Sequence, residues 1–240
     1  MELFDTHLHL SQEQDNHEIV RRAQEAGVRF LLVCAGSYED SHEADGFQYE
    51  PSVFDRFTSD PRFCAVGEIG IDTYYSISGL RKQIAVLKSM LGLALRYQVP
   101  AIIHCRSADG TDDAYRICFE ELSAFSAQGG RFVVHCFAGS PDWMKRFAGL
   151  GAYFGVGGML TFKRSDNIRE VVMQMPEDRI LLETDAPYLA PVPFRGKPNT
   201  PEYLPLVAHK LAELKGIPAE RIADLTTRNA LTLFQRVKRS

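Results

Sequence analysis

The sequence predicts an α/β protein of the TIM (β/α)8 barrel class, on three observations. Short apolar runs ending in polar residues alternate with helix-like stretches, the pattern of βα units around a parallel sheet. The ends of these runs lie 31 residues apart from His104 to His135 and 36 apart from Glu68 to His104, close to the ~30-residue length of a βα unit. The length of 240 residues, with 45% apolar and 24% charged side chains, suits one barrel domain over residues 1–240 and excludes a disordered chain.

The strand-like runs cover residues 3–10, 30–36, 64–72, 99–106, 131–139, 152–158 and 180–185. Asn16 caps a first helical stretch closed by Gly27, and Thr111 opens a helix over 112–126. Ser140-Pro141 is an N-cap followed by proline at the first helical position, where its missing N–H has no intrahelical partner to lose. One unit is weak. Between His9 and Glu68 there is room for two repeats, yet after Gly36 the chain turns acidic and only residues 46–49 resemble a strand. A complete barrel and one distorted by a stunted third βα unit both fit. After Asp185 a proline-rich loop runs through Pro201, and helical stretches over 202–215 and 219–238 close the outer ring. No internal repeat or linker divides the chain.

No stretch approaches the ~18 consecutive apolar residues of a membrane span, and Met1-Glu2-Leu3-Phe4-Asp5 lacks a basic-then-apolar leader, so the chain reads as cytoplasmic. The five cysteines are scattered and never spaced as C-x-x-C, which makes them reduced thiols rather than a disulfide framework or a thiolate zinc site. The net charge of −4 has the wrong sign for a protein that coats nucleic acid, and residues 39–60 hold seven acids against the single base Arg56. A polyanionic substrate must therefore be gripped locally.

Asp5-Thr6-His7-Leu8-His9 ends the first run, and strand alternation turns His7 and His9 to the same side, where the pair can chelate one ion. On its own such a pair is as well read as two satisfied histidines. The other strand ends repeat the chemistry: Glu68, His104, His135 and Asp185 each close an apolar run. In a parallel barrel these ends converge on one mouth, and carboxylates gathered there beside imidazoles call for a compensating cation. The count suggests two divalent ions: one on His7, His9 and Asp185, the other on His104 and His135, with Glu68 as bridge, because all eight lysines lie outside the strand ends. Mixed imidazole and carboxylate ligation suits Zn²⁺, Mn²⁺, Co²⁺ or Fe²⁺ and tolerates Mg²⁺. The chemistry is hydrolysis by metal-activated water, with Asp185 and Glu68 as catalytic carboxylates and Asp185 taking the proton. Asp5 and Glu183, one layer below, either orient imidazoles or make buried structural hydrogen bonds. Cys105 and Cys136 follow His104 and His135, so alternation turns them away as packing residues.

These motifs resemble the TatD family of metal-dependent deoxyribonucleases, within the amidohydrolase-like metal hydrolases. The motifs Asp5-Thr6-His7-Leu8-His9-Leu10, Gly67-Glu68-Ile69-Gly70-Ile71-Asp72, Ile103-His104-Cys105-Arg106 and His135-Cys136-Phe137-Ala138-Gly139 stand in the family's order. So do Gly157-Gly158-Met159-Leu160-Thr161-Phe162 and the run from Leu182 to Pro191, which, with Arg195-Gly196-Lys197-Pro198-Asn199, is the most specific. The resemblance implies a TIM barrel that binds two divalent cations at His7, His9, Glu68, His104, His135 and Asp185, with Mg²⁺- or Mn²⁺-dependent 3′–5′ exonuclease or DNase activity, while the ligand set also admits Zn²⁺. The chain departs from the family at Gly46-Phe47-Gln48-Tyr49-Glu50-Pro51, where a Gly-x-His-Pro-His-like motif is usual. That departure touches the wall of the substrate groove, not the metal ligands.

The expected partner is DNA or another phosphodiester, single-stranded or at its ends, with no membrane. Arg106, Lys163, Arg164, Arg195 and Lys197 are candidate phosphate contacts, with a salt bridge to Asp72 or Asp109 the competing role for Arg106. Tyr188, Tyr74 and Tyr75 are candidates for base stacking, with plain rim packing as the alternative. Two other functions fit the same ligands: hydrolysis of a small ester, lactone or amide, which the acidic stretch favours, and metal binding without turnover, which the open coordination disfavours.

Overall fold

In the computed structural model the described residues are 1–11, 14–34, 58–75 and 77–238. In chain order the elements are β1 (Leu3–Leu8), α1 (Asn16–Glu25), β2 (Val28–Val33), β3 (Val66–Asp72), α2 (Leu80–Tyr97), β4 (Ala101–Arg106), α3 (Asp113–Ala127), β5 (Phe132–Val134), α4 (Pro141–Gly149), β6 (Tyr153–Val156), α5 (Asp166–Gln174), β7 (Ile180–Leu182), α6 (Leu204–Lys215) and α7 (Ala219–Leu233). They fall into two compact units, Met1–Cys34 with Val133–Leu233, and the described part of Ala35–Phe132 with Phe234–Ser240.

In the first unit β1 pairs with β2 in parallel, Leu3 opposite Val28 and Leu8 opposite Val33. Strands β5, β6 and β7 also pair in parallel, and Leu8 bridges Ala186 beyond β7. All six residues of β1 are buried, as the strands of a helix-covered parallel sheet are. Leu8, Val134, Phe154 and Leu181 fill the core with Phe147 of α4, Leu204 and Leu211 of α6 and Ile222 of α7. Polar side chains of α7 fasten the strand starts: Thr227 Oγ1 donates to the Glu2 carbonyl at 3.0 Å. Asn229 Nδ2 donates to the carbonyls of Glu177 and Ile180 at 2.8 and 2.9 Å.

In the second unit β3 and β4 run parallel, Ile69 opposite Ile103 and Asp72 opposite Arg106. Gly70 sits so close to β4 that a Cβ there would strike the His104 carbonyl, which is why this strand interior carries a glycine. Leu87 and Leu91 of α2 and Cys118 and Leu122 of α3 are buried.

Helix and strand limits differ from the sequence expectation for local reasons. Asp15, not Asn16, caps α1, its carboxylate accepting from the Glu18 N–H at 3.1 Å. Asp112 rather than Thr111 precedes α3, while Ser140 caps α4 as expected, accepting from the Trp143 N–H. The runs over 131–139 and 180–185 keep only three strand residues each, because Cys136 and Asp185 adopt positive φ of 48° and 58°, which ends an extended run. The strand-like residues 46–49 and the stunted third unit lie outside the described residues. Among the described residues no helix is long and apolar enough to cross a membrane.

Candidate metal centre

Burial of β1 carries His7 into the first unit's interior, and His9 follows one residue past the strand, half-buried. Alternation turns both to one side, with Nε2 atoms 3.2 Å apart. Asp185 reaches them from the turn after β7, where its N–H donates to the His7 carbonyl at 2.9 Å. Its Oδ1 lies 3.7 Å from His7 Nε2 and 3.9 Å from His9 Nε2. One ligand atom from each of the three falls within 4.8 Å of the others, the spacing of donors each about 2.0–2.2 Å from a shared ion. His135 stacks on His7 with ring centroids 4.0 Å apart.

Three side chains support this cluster. Cys34, which no local sequence pattern marks, follows β2 with its Sγ 3.3 Å from His7 Nδ1. Fully buried Asp5 accepts from Thr184 N–H at 2.9 Å, Thr184 Oγ1 at 2.6 Å and the His7 N–H at 3.4 Å. It therefore holds backbone in place rather than an imidazole, and burial pushes its carboxyl up to about 7 against those hydrogen bonds. Glu183 accepts from the Cys136 N–H and lies 3.8 Å from His135 Nδ1, in space that a Cβ on Gly155 would fill. Cys136 is not the outward-turned packing residue that alternation implies. At its positive φ its sulfur lies within 4.8 Å of donor atoms of His135 and Glu183, a group that could hold a metal ion.

The second unit brings Glu68 and His104 together and adds Asp72. His104 Nδ1 is 2.7 Å from Glu68 Oε1, and its Nε2 is 2.9 Å from Asp72 Oδ2. Burial opposes the imidazolium, but the two carboxylates outweigh it and push His104 up to about 10. Burial likewise raises Asp72, and hydrogen bonds from His104 and the Tyr74 N–H overturn this and hold it below the usual carboxylate range. Glu68 and Asp72 stand four apart on β3, a same-face spacing that marks Asp72 as a partner of the strand-end histidine. Cys105 packs against Cys118, as expected, and burial raises its thiol.

Of the candidate substrate contacts, Arg106 is exposed and stacks on Tyr74, its Cζ 3.7 Å from the ring centroid. Arg195 lies over Phe162 at 4.2 Å, beside exposed Lys163 and Arg164, and Lys197 stands 5.8 Å from the Phe194 ring. Tyr188 is 61% exposed with its ring 6.3 Å from that of His9.

Residues 42–235 match the family model described as TatD related DNase. Over 97% of this chain and 99% of its own length, the metal-dependent hydrolase YabD of Bacillus subtilis is 34% identical. The 3′-5′ ssDNA/RNA exonuclease TatD of Pantoea vagans is 29% identical over 97% of this chain and 99% of its own. Among solved structures, the TatD homologue YJJV of Escherichia coli superposes with a TM-score of 0.82 at 30% identity, covering 97% of this chain and 98% of that one. The fold class is accordingly the α/β TIM barrel that the βα alternation predicts.

Proposed function

Because the chain belongs to the TatD-related DNase family and is a metal-dependent hydrolase, we propose that it is a cytoplasmic nuclease cutting phosphodiester bonds of DNA, 3′ to 5′, at single strands or ends. The observation that carries this reading is the convergence of His7 Nε2, His9 Nε2 and Asp185 Oδ1. These atoms would hold one divalent ion. His104 and His135 are the candidate ligands of a second, with Glu68 as the carboxylate shared between the ions, and Mg²⁺, Mn²⁺ or Zn²⁺ as the metal. Such ions, when bound, polarise a phosphate oxygen and bring the pKa of a water toward neutrality.

The chain's own groups supply the rest. Asp185 accepts the proton of the attacking water at its carboxylate, and Glu68 is the second catalytic carboxylate. The buried Asp5 and Glu183 keep the backbone around His7 and Cys136 fixed. Arg106 grips a phosphate of the substrate strand. Arg195, Lys197, Lys163 and Arg164 are further phosphate contacts, and Tyr188 borders His9.

The test is release of mononucleotides from 3′-labelled single-stranded DNA by metal-reconstituted protein. Wild type releases them, and Asp185→Asn loses at least about a hundredfold in rate, the lower range for a positioned proton acceptor. Hydrolysis of neutral esters or amides with no action on DNA would replace the nuclease reading, as would equal rates in the two proteins.

A further inference from the structure

We propose that Tyr74, Tyr75 and Arg106 form a docking platform for one unpaired nucleobase and its flanking phosphate. This inference rests on the nuclease reading and names the residues that select an unpaired base. The Arg106 guanidinium sits 3.7 Å from the Tyr74 ring centroid and 5.3 Å from that of Tyr75. The two rings stand 4.8 Å apart at 87°, so the cation occupies the inner angle of an aromatic corner. Packing does not consume this corner, since Tyr74 is 38% and Tyr75 73% exposed.

Nor is the guanidinium consumed by a carboxylate. Asp72, its neighbour across the strand pair, gives Oδ2 to His104 Nε2 and Oδ1 to the Tyr74 N–H. Among the described residues no acid lies within ion-pair distance of Arg106; Asp72 feels its charge only from farther off, and the guanidinium lies against the two rings. Lying over Tyr74 holds the guanidinium in place, and its N–H groups can serve the paired oxygens of a phosphate. Arg106 follows His104 by two residues on β4 and so faces the same side. A base laid on Tyr75 is thus carried beside the His104, Glu68 and Asp72 group. Inside a duplex both faces of a base are covered by its neighbours, so Tyr75 accepts a base only from a single strand or a frayed end.

The test is fluorescence anisotropy of full-length, metal-loaded protein with two labelled oligomers of equal length, phosphorothioate-linked to resist cleavage. One carries thymines and the other is abasic. Wild type should hold the thymine oligomer about tenfold more tightly, the scale of one base–aromatic stack. Tyr75→Ala should erase that preference and Tyr75→Phe keep it. Arg106→Ala should weaken both oligomers equally and flatten the log–log salt dependence by about 0.7. Equal wild-type affinity for the two oligomers, or a preference that survives in Tyr75→Ala, overturns the platform. If such a protein still degrades DNA the nuclease reading stands alone, and if it does not both fall.

Discussion

The Cys34 thiol lies 3.3 Å from His7 Nδ1, on the opposite side of the imidazole from the nitrogen that faces His9 and Asp185. A histidine that offers Nε2 to a cation carries its proton on Nδ1, so the sulfur is the acceptor that holds ring and tautomer. Losing such an outer partner typically costs about 10–100-fold in metal affinity. Cys34→Ala should weaken metal retention toward the lower end of that range, and Cys34→Ser should recover part of it. Competition with a chromophoric chelator measures both, and unchanged retention in Cys34→Ala removes the role.

A second expectation concerns protons. In the metal-free chain His104 is an imidazolium clamped by Glu68 and Asp72, up to about 10. If it ligates an ion, that proton must leave, so uptake releases a proton and tightens by about tenfold per pH unit between roughly pH 7 and 9. Calorimetry in buffers of different ionisation enthalpy counts the protons. Uptake without proton release below pH 9 would remove His104 from the ligand set.

Asp5 makes stability depend on pH with an unusual sign. Burial raises its carboxyl from 3.8 to about 7, so the folded state binds the proton more tightly than the unfolded chain does. Its contribution is complete below pH 3.8 and is lost as pH rises through about 7, a decline of at most about 4 kcal/mol in all. Denaturant titrations of metal-free protein from pH 5 to 8 should show this decline, and Asp5→Asn should flatten it. A decline of equal size in Asp5→Asn refutes the assignment.

Gly155→Ala tests the floor under His135. The added methyl would occupy the space of the Glu183 carboxylate, an overpacking that costs about 1–3 kcal/mol. The variant should melt several degrees lower and expose the Cys136 N–H to faster hydrogen exchange, because that N–H donates to Glu183. An unaltered melting temperature would mean that the carboxylate moves aside freely.

Much of the site is legible in the sequence because strand alternation is a rigid rule. It places His7 with His9 on one side, and the polar ends of apolar runs pick out Glu68, His104, His135 and Asp185 from a single chain. The same rule misleads at Cys136, since alternation stops where φ turns positive, and the sequence holds no glycine there to announce the turn. The sequence offers Asp72 or Asp109 as a salt-bridge partner of Arg106, yet His104 on the neighbouring strand takes the Asp72 carboxylate and the Arg106 guanidinium lies over Tyr74. Cys34 is invisible for another reason: its meaning lies in a neighbour 27 positions earlier, across a pairing register that no local pattern encodes.

The hydrogen bond from Thr227 to the carbonyl of Glu2 joins groups 225 positions apart, and it sets an order on synthesis. The opening strand leaves the ribosome long before the helix that fastens it. Until that helix emerges, an apolar stretch carrying two imidazoles waits without its lock, and closing so long a loop carries a large entropic cost. Removing α7 should therefore release β1 as well.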